Sequence, residues 1–384
     1  MKNSPLLDLA KLGQSIWFDN IERGMLQSGE LARMIREEGL KGITSNPTIF
    51  QKAITGSAIY SDAIAKLMES GKRYSARDLF YHLAIEDIQA AADALLPVYT
   101  QSGGRDGMVS IEVSPELAYD TEGTVKEARY LHQRVNRPNA MIKVPATAAG
   151  LPAIETLIAD GISINVTLLF SVTRYREVVE AYLHGLETRV KQDKDISSIA
   201  SVASFFISRV DNTVDKMLTD LAGTAPTEQQ LVLKAMQGKT AIANAKRAYA
   251  LYKEVFFTPR FEKLRKAGAQ PQRLLWASTG TKNPAFSDVL YVDSLIGSDT
   301  VNTVPPATYK AFKEHGTAAP TLELGFAAAE QHLATLDKFQ IDMKQVTDQL
   351  EKDGVKLFAE SFNDLLNAIE SKLKNYLPKA SSGG

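Results

Sequence analysis

Asn139-Ala140-Met141-Ile142-Lys143-Val144-Pro145-Ala146-Thr147 is an apolar run with a single ammonium at its centre. Its composition reads as a buried strand, and Pro145, which has no N–H for a ladder, puts Lys143 near the strand's carboxyl end. That end is where parallel α/β barrels keep their chemistry. An ammonium stripped of hydration by apolar neighbours is biased toward the free amine, and a free amine attacks a carbonyl to form a Schiff base. The ordinary alternative is a lysine whose stem lies along the strand and whose head reaches water.

On both sides of this strand the pattern of apolar run, polar end and helix recurs. Residues 15–20 run apolar into Asp19, and a helix is expected over 28–39 with Ser28 as its N-cap. A strand follows over 42–48, ending in Asn46 and the turn-forming Pro47. Residues 49–106 read as helices decorating one connection. Ser75 and Asp78 resemble a capping box there, Ile85, Ile88, Ala92, Leu95 and Tyr99 recur at helical spacing, and Gly103-Gly104 ends the segment. Residues 108–114 alternate as a strand carrying Glu112, and Val125, Ala128, Leu131 and Val135 form the next helix stripe.

Beyond the lysine strand come a helix over 151–160, stopped by Gly161, and a strand over 162–170 with Asn165 and Thr167 among large apolar residues. A helix from about Thr173 leads to a strand over 199–207 that contains Ser204 and Phe206 and is closed by Ser208-Arg209. Residues 212–272 are again helical. Gly238-Lys239-Thr240 invites a P-loop reading, but the glycine that motif needs five positions earlier is Leu233, so the triplet is a helix boundary. A seventh strand begins at Arg273 and runs into a glycine loop with Ser278 and Lys282. The eighth and weakest spans 301–304, before Pro305-Pro306. Helical patterns continue to about Tyr376, and residues 379–384 look like a flexible tail. Eight buried strands alternating with helices predict a single-domain (β/α)8 TIM barrel over 1–378, with helical insertions near 49–106 and 212–272. An open doubly wound sheet is the alternative, weakened by the lack of a GxGxxG after the first strand.

Composition narrows the chemistry. Lys and Arg total 44 against 45 Asp and Glu in 384 residues, so no bulk charge draws the chain to nucleic acid or an anionic membrane, and any anion site must be local. With no cysteine there is neither disulfide nor thiolate, and the five histidines show no metal-ligand spacing. No run approaches the roughly 18 apolar residues of a membrane span, and the first residues lack a secretory core. These observations predict a cytoplasmic, metal-free protein.

In a barrel, Asp19, Asn46, Glu112, Lys143, Asn165, Thr167, Ser204, Arg209 and Ser278 would converge on one mouth. Each has a plain structural alternative. Asp19 could cap a helix, Asn46 form a turn, Glu112 alternate on a surface, Asn165 or Thr167 be satisfied within a strand, and Arg209 pair with Asp211. Asn165-Val166-Thr167 also matches a glycosylation sequon, irrelevant in a buried strand. Jointly the set is coherent: an amine nucleophile, two carboxylates to shuttle protons, and Arg209, Ser204 and the 279–282 loop to bind a phosphate.

Trp17-Phe18-Asp19, Thr44-Ser45-Asn46-Pro47-Thr48, Ile111-Glu112-Val113-Ser114, Ile142-Lys143-Val144-Pro145-Ala146-Thr147, Asn165-Val166-Thr167-Leu168 and Ser204-Phe205-Phe206-Ile207-Ser208-Arg209 resemble, in order, the strand motifs of the transaldolase family, over residues 15 to 310. The resemblance implies cofactor-free transfer of a dihydroxyacetone unit between sugar phosphates in the pentose phosphate pathway. Sedoheptulose 7-phosphate and glyceraldehyde 3-phosphate would give erythrose 4-phosphate and fructose 6-phosphate. By that likeness Lys143 forms the Schiff base, Asp19 moves the C4 hydroxyl proton, and Glu112 and Thr167 hold a proton-relaying water. Asn46 and Asn165 would bind hydroxyls of the retained unit, Ser204 and Phe206 would shape the pocket, and Arg209 would hold the phosphate, with Ser278 and Lys282 nearby. The chain departs from shorter family members at Gly280, where an arginine is usual, which leaves Lys282 as the nearest cation. Its helical insertions resemble the longer subfamily. Partners are expected to be small sugar phosphates, with the chain a monomer or homodimer. Rival readings are a simple lysine aldolase that releases dihydroxyacetone, a non-catalytic sugar-phosphate binder and a pyridoxal phosphate enzyme, which would be coloured.

Overall fold

A computed structural model of the chain describes residues 4–69 and 72–374. Eight parallel strands close into a barrel in chain order. They are β1 (Gln14–Phe18), β2 (Gly42–Ile43), β3 (Met108–Glu112), β4 (Ala140–Pro145), β5 (Ile164–Leu169), β6 (Ser201–Phe206), β7 (Arg273–Ala277) and β8 (Thr300–Val304). Every strand residue except Glu112 is buried, which is why most of these segments read as apolar runs; β3, which reads as alternating, is buried on both faces as well. The weakest prediction, β8, closes the ring: it pairs with β1 from Gln14↔Thr300 to Phe18↔Val304 and with β7 on its other side.

Two local expectations are corrected. Ser28 does not cap the helix Glu30–Glu38; it ends the short helix Arg23–Gln27, and Gly29, at φ +78, takes the N-cap position. A left-handed turn between two helices favours glycine, and the sequence signal of a cap-type serine one residue earlier misplaced the boundary. The second strand stops at Ile43 instead of reaching Asn46, because Asn46 accepts a hydrogen bond from Ile49 N (3.0 Å) and so starts the helix Pro47–Gly56. Gly42 is set by its neighbour: a Cβ there would lie 2.5 Å from the Trp17 indole.

The connection between β2 and β3 carries the helices Pro47–Gly56, Ala58–Glu69 and Ala76–Gln101, and Ser75 accepts from Asp78 N (3.1 Å) as the capping pattern predicts. Gly238, at φ +71, precedes the helix Thr240–Phe256, as expected of a boundary. The expected tail, and the last two residues of the predicted helix to Tyr376, lie outside the described residues. Among the described residues no helix is long and apolar enough to cross a membrane.

A polar plug shuts the end of the barrel where the strands begin. Arg273 donates to Ser15 Oγ (2.8 Å) and Asp106 Oδ1 (2.9 Å), Ser15 donates to Asp106 Oδ2 (2.8 Å), and all three side chains are buried. Chemistry is thereby confined to the opposite end. Truncating one member of a buried ion pair strands the other, so Arg273→Ala is expected to cost about 3–5 kcal/mol in denaturant unfolding. A loss under about 1 kcal/mol, the range of exposed pairs, would mean that water reaches Asp106.

Candidate active site

The carboxyl ends of the strands surround a cavity of about 460 Å³. Asp19, Asn46, Lys143, Thr167, Ser204, Phe206, Arg209, Ser278 and Lys282 line it, so most of the residues expected at one mouth do meet there. Glu112 and Asn165 are not among the residues that line it.

Glu112, Lys143 and Asn165 are register partners across β3, β4 and β5. Lys143 Nζ donates to Glu112 Oε2 (3.1 Å) and to the Ser45 carbonyl (2.9 Å), and both ionic side chains are only 7% exposed. The lysine head is therefore not extended into bulk solvent, and Glu112 is no surface alternation. The sequence reading had an amine among apolar neighbours; the structure adds a buried counter-ion. Burial holds the Glu112 carboxyl above the ordinary carboxylate range, with the Lys143 ammonium acting against that rise.

Asp19 follows β1, and its backbone N–H donates to Val304 O (2.9 Å), continuing the ladder to β8. Thr44 donates its hydroxyl to Asp19 Oδ1 (2.7 Å), and Thr44 and Thr303 share a hydrogen bond of 2.6 Å. Asp19 caps no helix: the next one, Arg23–Gln27, has Glu22 at its N-cap. Burial also pushes the Asp19 carboxyl up, opposed by the Lys143 charge and by the Thr44 hydrogen bond. Amine and acid thus face one space and feel each other's charge.

Thr167 precedes Leu168, which has φ +57 where the β5–β6 register shifts between Val166 and Leu169. Its hydroxyl is buried and has no hydrogen-bond partner among the described residues, an unusual state for a buried polar atom and one that a water or substrate hydroxyl would relieve. Asn165 is fully buried, donates to Ser110 Oγ (3.0 Å) and accepts from Ser204 Oγ (2.6 Å). Asn46 commits its carbonyl oxygen to the helix it caps, which leaves its amide nitrogen for a ligand. Ser278, a non-glycine residue at φ +56, shares a 2.9 Å hydrogen bond with Ser208.

Arg209 lies in the first turn of the helix Ser208–Ala222 and forms no ion pair among the described residues. Asp211, its expected alternative partner, instead accepts from Ala241 N (2.7 Å) and Tyr291 Oη (2.9 Å). The guanidinium packs against the rings of Phe206 (5.3 Å) and Phe358 (5.7 Å). A cation desolvated by rings, without a carboxylate, is suited to an anionic ligand. Lys282 is exposed at the rim, as is Lys52.

Sequence reading missed Phe358, Lys52 and the role of Thr44 and Thr303 in holding Asp19. Thr44 was visible in its motif only as a strand-end hydroxyl; the carboxylate it holds belongs to another strand end, so no local signal pointed to the pair. Phe358 had none: it belongs to the helix Met343–Lys374, far along the chain from every strand. Together the groups provide a buried amine nucleophile, two carboxyls that burial holds above the ordinary carboxylate range, and a cationic, ring-lined end for an anion.

The sequence matches the family described as transaldolase/fructose-6-phosphate aldolase over residues 16–369. It is 47% identical to transaldolase 2 of Nostoc sp. over 377 residues, 97% of this chain and 98% of that one. It is 48% identical to the transaldolase of Neisseria gonorrhoeae over 361 residues, 94% of this chain and 98% of the other. With the transaldolase of Thermobifida fusca it shares 47% identity over 371 residues, 96% and 98% of the two chains.

Proposed function

The chain belongs to the transaldolase/fructose-6-phosphate aldolase family and is a transferase of the transaldolase kind, and from that premise we propose how its residues divide the work. Lys143 attacks the C2 carbonyl of a ketose phosphate, and a water between Glu112 and Thr167 carries the protons that turn carbinolamine into imine. Asp19 takes the C4 hydroxyl proton as the C3–C4 bond breaks, then returns it to the aldehyde oxygen of the acceptor. Asn46 and Asn165 orient the retained three-carbon unit, Asn165 through Ser204 or after a small shift of its amide. Ser204, Phe206 and Ser278 shape the wall, and Arg209 holds the phosphate with Lys282 at the rim. The observation that carries this reading is the buried Lys143–Glu112 contact of 3.1 Å opening onto the cavity that Asp19 also lines. We further propose that it acts in the cytoplasm on pentose phosphate pathway sugar phosphates, as a monomer or homodimer.

Borohydride reduction in the presence of fructose 6-phosphate tests the reading: covalent label on Lys143 is expected, and saturable binding without label would make the chain a binder only. pH dependence tests the role of Asp19. The group must be ionised to accept the hydroxyl proton, and burial raises its carboxyl above the ordinary 3.8. Activity is therefore expected to fall with acidification along a limb lying above that value. A kcat/KM profile still flat down to the ordinary carboxylate range would remove the ionised Asp19 from the rate.

A further inference from the structure

All other residues of the cavity wall come from the chain between Asp19 and Pro306; Phe358 alone comes from the C-terminal helix. Its ring is 7% exposed, with its centroid 6.0 Å from Lys143 Nζ and 5.7 Å from Arg209 Cζ. The helix is held down from several directions. Thr48 donates to Ser361 Oγ (3.0 Å), Lys372 to Ile54 O (2.6 Å), and Arg174 pairs with Glu351 (3.4 Å). Gly354 lets it approach β5, since a Cβ there would come within 2.9 Å of Leu168. One turn beyond Phe358, Phe362 packs edge-on to Phe80 at 5.6 Å.

Resting on the transferase reading, we propose that Phe358 decides the fate of the three-carbon unit: its ring keeps water off the lysine-bound enamine and so commits the unit to an aldehyde acceptor. After C3–C4 cleavage the electron pair remains on the unit as an enamine. In one exit, C3 bonds to the acceptor's carbonyl carbon, the new alkoxide takes back the proton held by Asp19, and water then adds at C2 of the resulting imine so that the C2–N bond breaks to release the new ketose and the free amine. In the other, C3 takes a proton from solvent and Asp19 returns its proton to solvent; water then adds at C2 and the C2–N bond breaks to release dihydroxyacetone and the free amine. The water lost on forming the imine is regained, and nothing is oxidised or reduced. Both exits end in hydrolysis of an imine; only the second needs a solvent proton delivered to C3 while the unit is still an enamine. An aromatic face stabilises a nearby cation without offering a proton, which a water or hydroxyl in the same place would do.

The test uses the full chain in D₂O with fructose 6-phosphate, with and without erythrose 4-phosphate, and scores dihydroxyacetone released per Lys143 labelled by borohydride. Phe358→Ala is expected to raise that ratio about tenfold, equivalent to about 1.4 kcal/mol between the two exits, with deuterium in the released ketone. Phe358→Leu keeps a smaller apolar cap and should raise it less; it carries the test if alanine loosens the helix. Ratios equal to wild type in the labelled variants overturn the inference. Wild-type protein that takes no label would instead overturn the transferase reading itself.

Discussion

Lys143→Ala is expected to abolish transfer, with a loss on the order of 10⁵-fold or more, the scale seen when a covalent nucleophile is removed. No other described amine both lines the cavity and is buried beside a carboxylate. Borohydride should then leave the protein unlabelled. The substitution also has a structural cost, because Glu112 loses the ammonium 3.1 Å away while staying buried. Stranding one member of such a pair costs about 3–5 kcal/mol if the charge is kept. Glu112, already raised by burial, escapes part of that cost by taking a proton. The sign follows: its carboxyl is raised further above the unfolded value, so the variant loses stability as pH rises between the two and should be closest to wild type in acid. Transfer that survives in a folded Lys143→Ala protein would refute the nucleophile assignment. A stability deficit independent of pH would show that Glu112 stays ionised.

Asp19→Ala should separate two steps that Lys143→Ala removes together. Loss of a positioned general acid–base lowers rate by about 10²–10⁴-fold, so cleavage and transfer are expected to fall by that factor. In the proposed division of work imine formation draws on Glu112 and Thr167, so trapping with fructose 6-phosphate is expected to stay close to wild type. The freed Thr44 hydroxyl still has Thr303 at 2.6 Å, so little stability should be lost. A parallel collapse of trapping and transfer would mean that Asp19 shapes the amine's surroundings and does not move the substrate proton.

The barrel was legible because burial on both faces makes each strand a run of apolar residues with a polar end, and that pattern survives in one dimension. Lys143 and Asp19 were legible for the same reason, as polar residues at the ends of such runs. Glu112 was found as a residue but not as the lysine's counter-ion, since the pairing depends on the β3–β4 register and no local spacing encodes it. Asn165 was expected at the mouth but is fully buried and does not line the cavity, being engaged by Ser110 and Ser204. Short-range signals failed where backbone conformation decided the outcome, as at Gly29 and the end of β2.

By itself, the sequence determined the fold class, the strand order of the chemistry-bearing residues and the absence of thiol chemistry, because apolar periodicity and residue type are properties of the chain. Which groups touch was decided only in three dimensions: barrel closure joins β1 to β8 and sets Thr303 behind Asp19, and the last helix lays Phe358 beside an amine some 200 residues earlier in the chain. Contacts between residues so distant in sequence carry no local pattern, since they arise from packing that buries each surface against another.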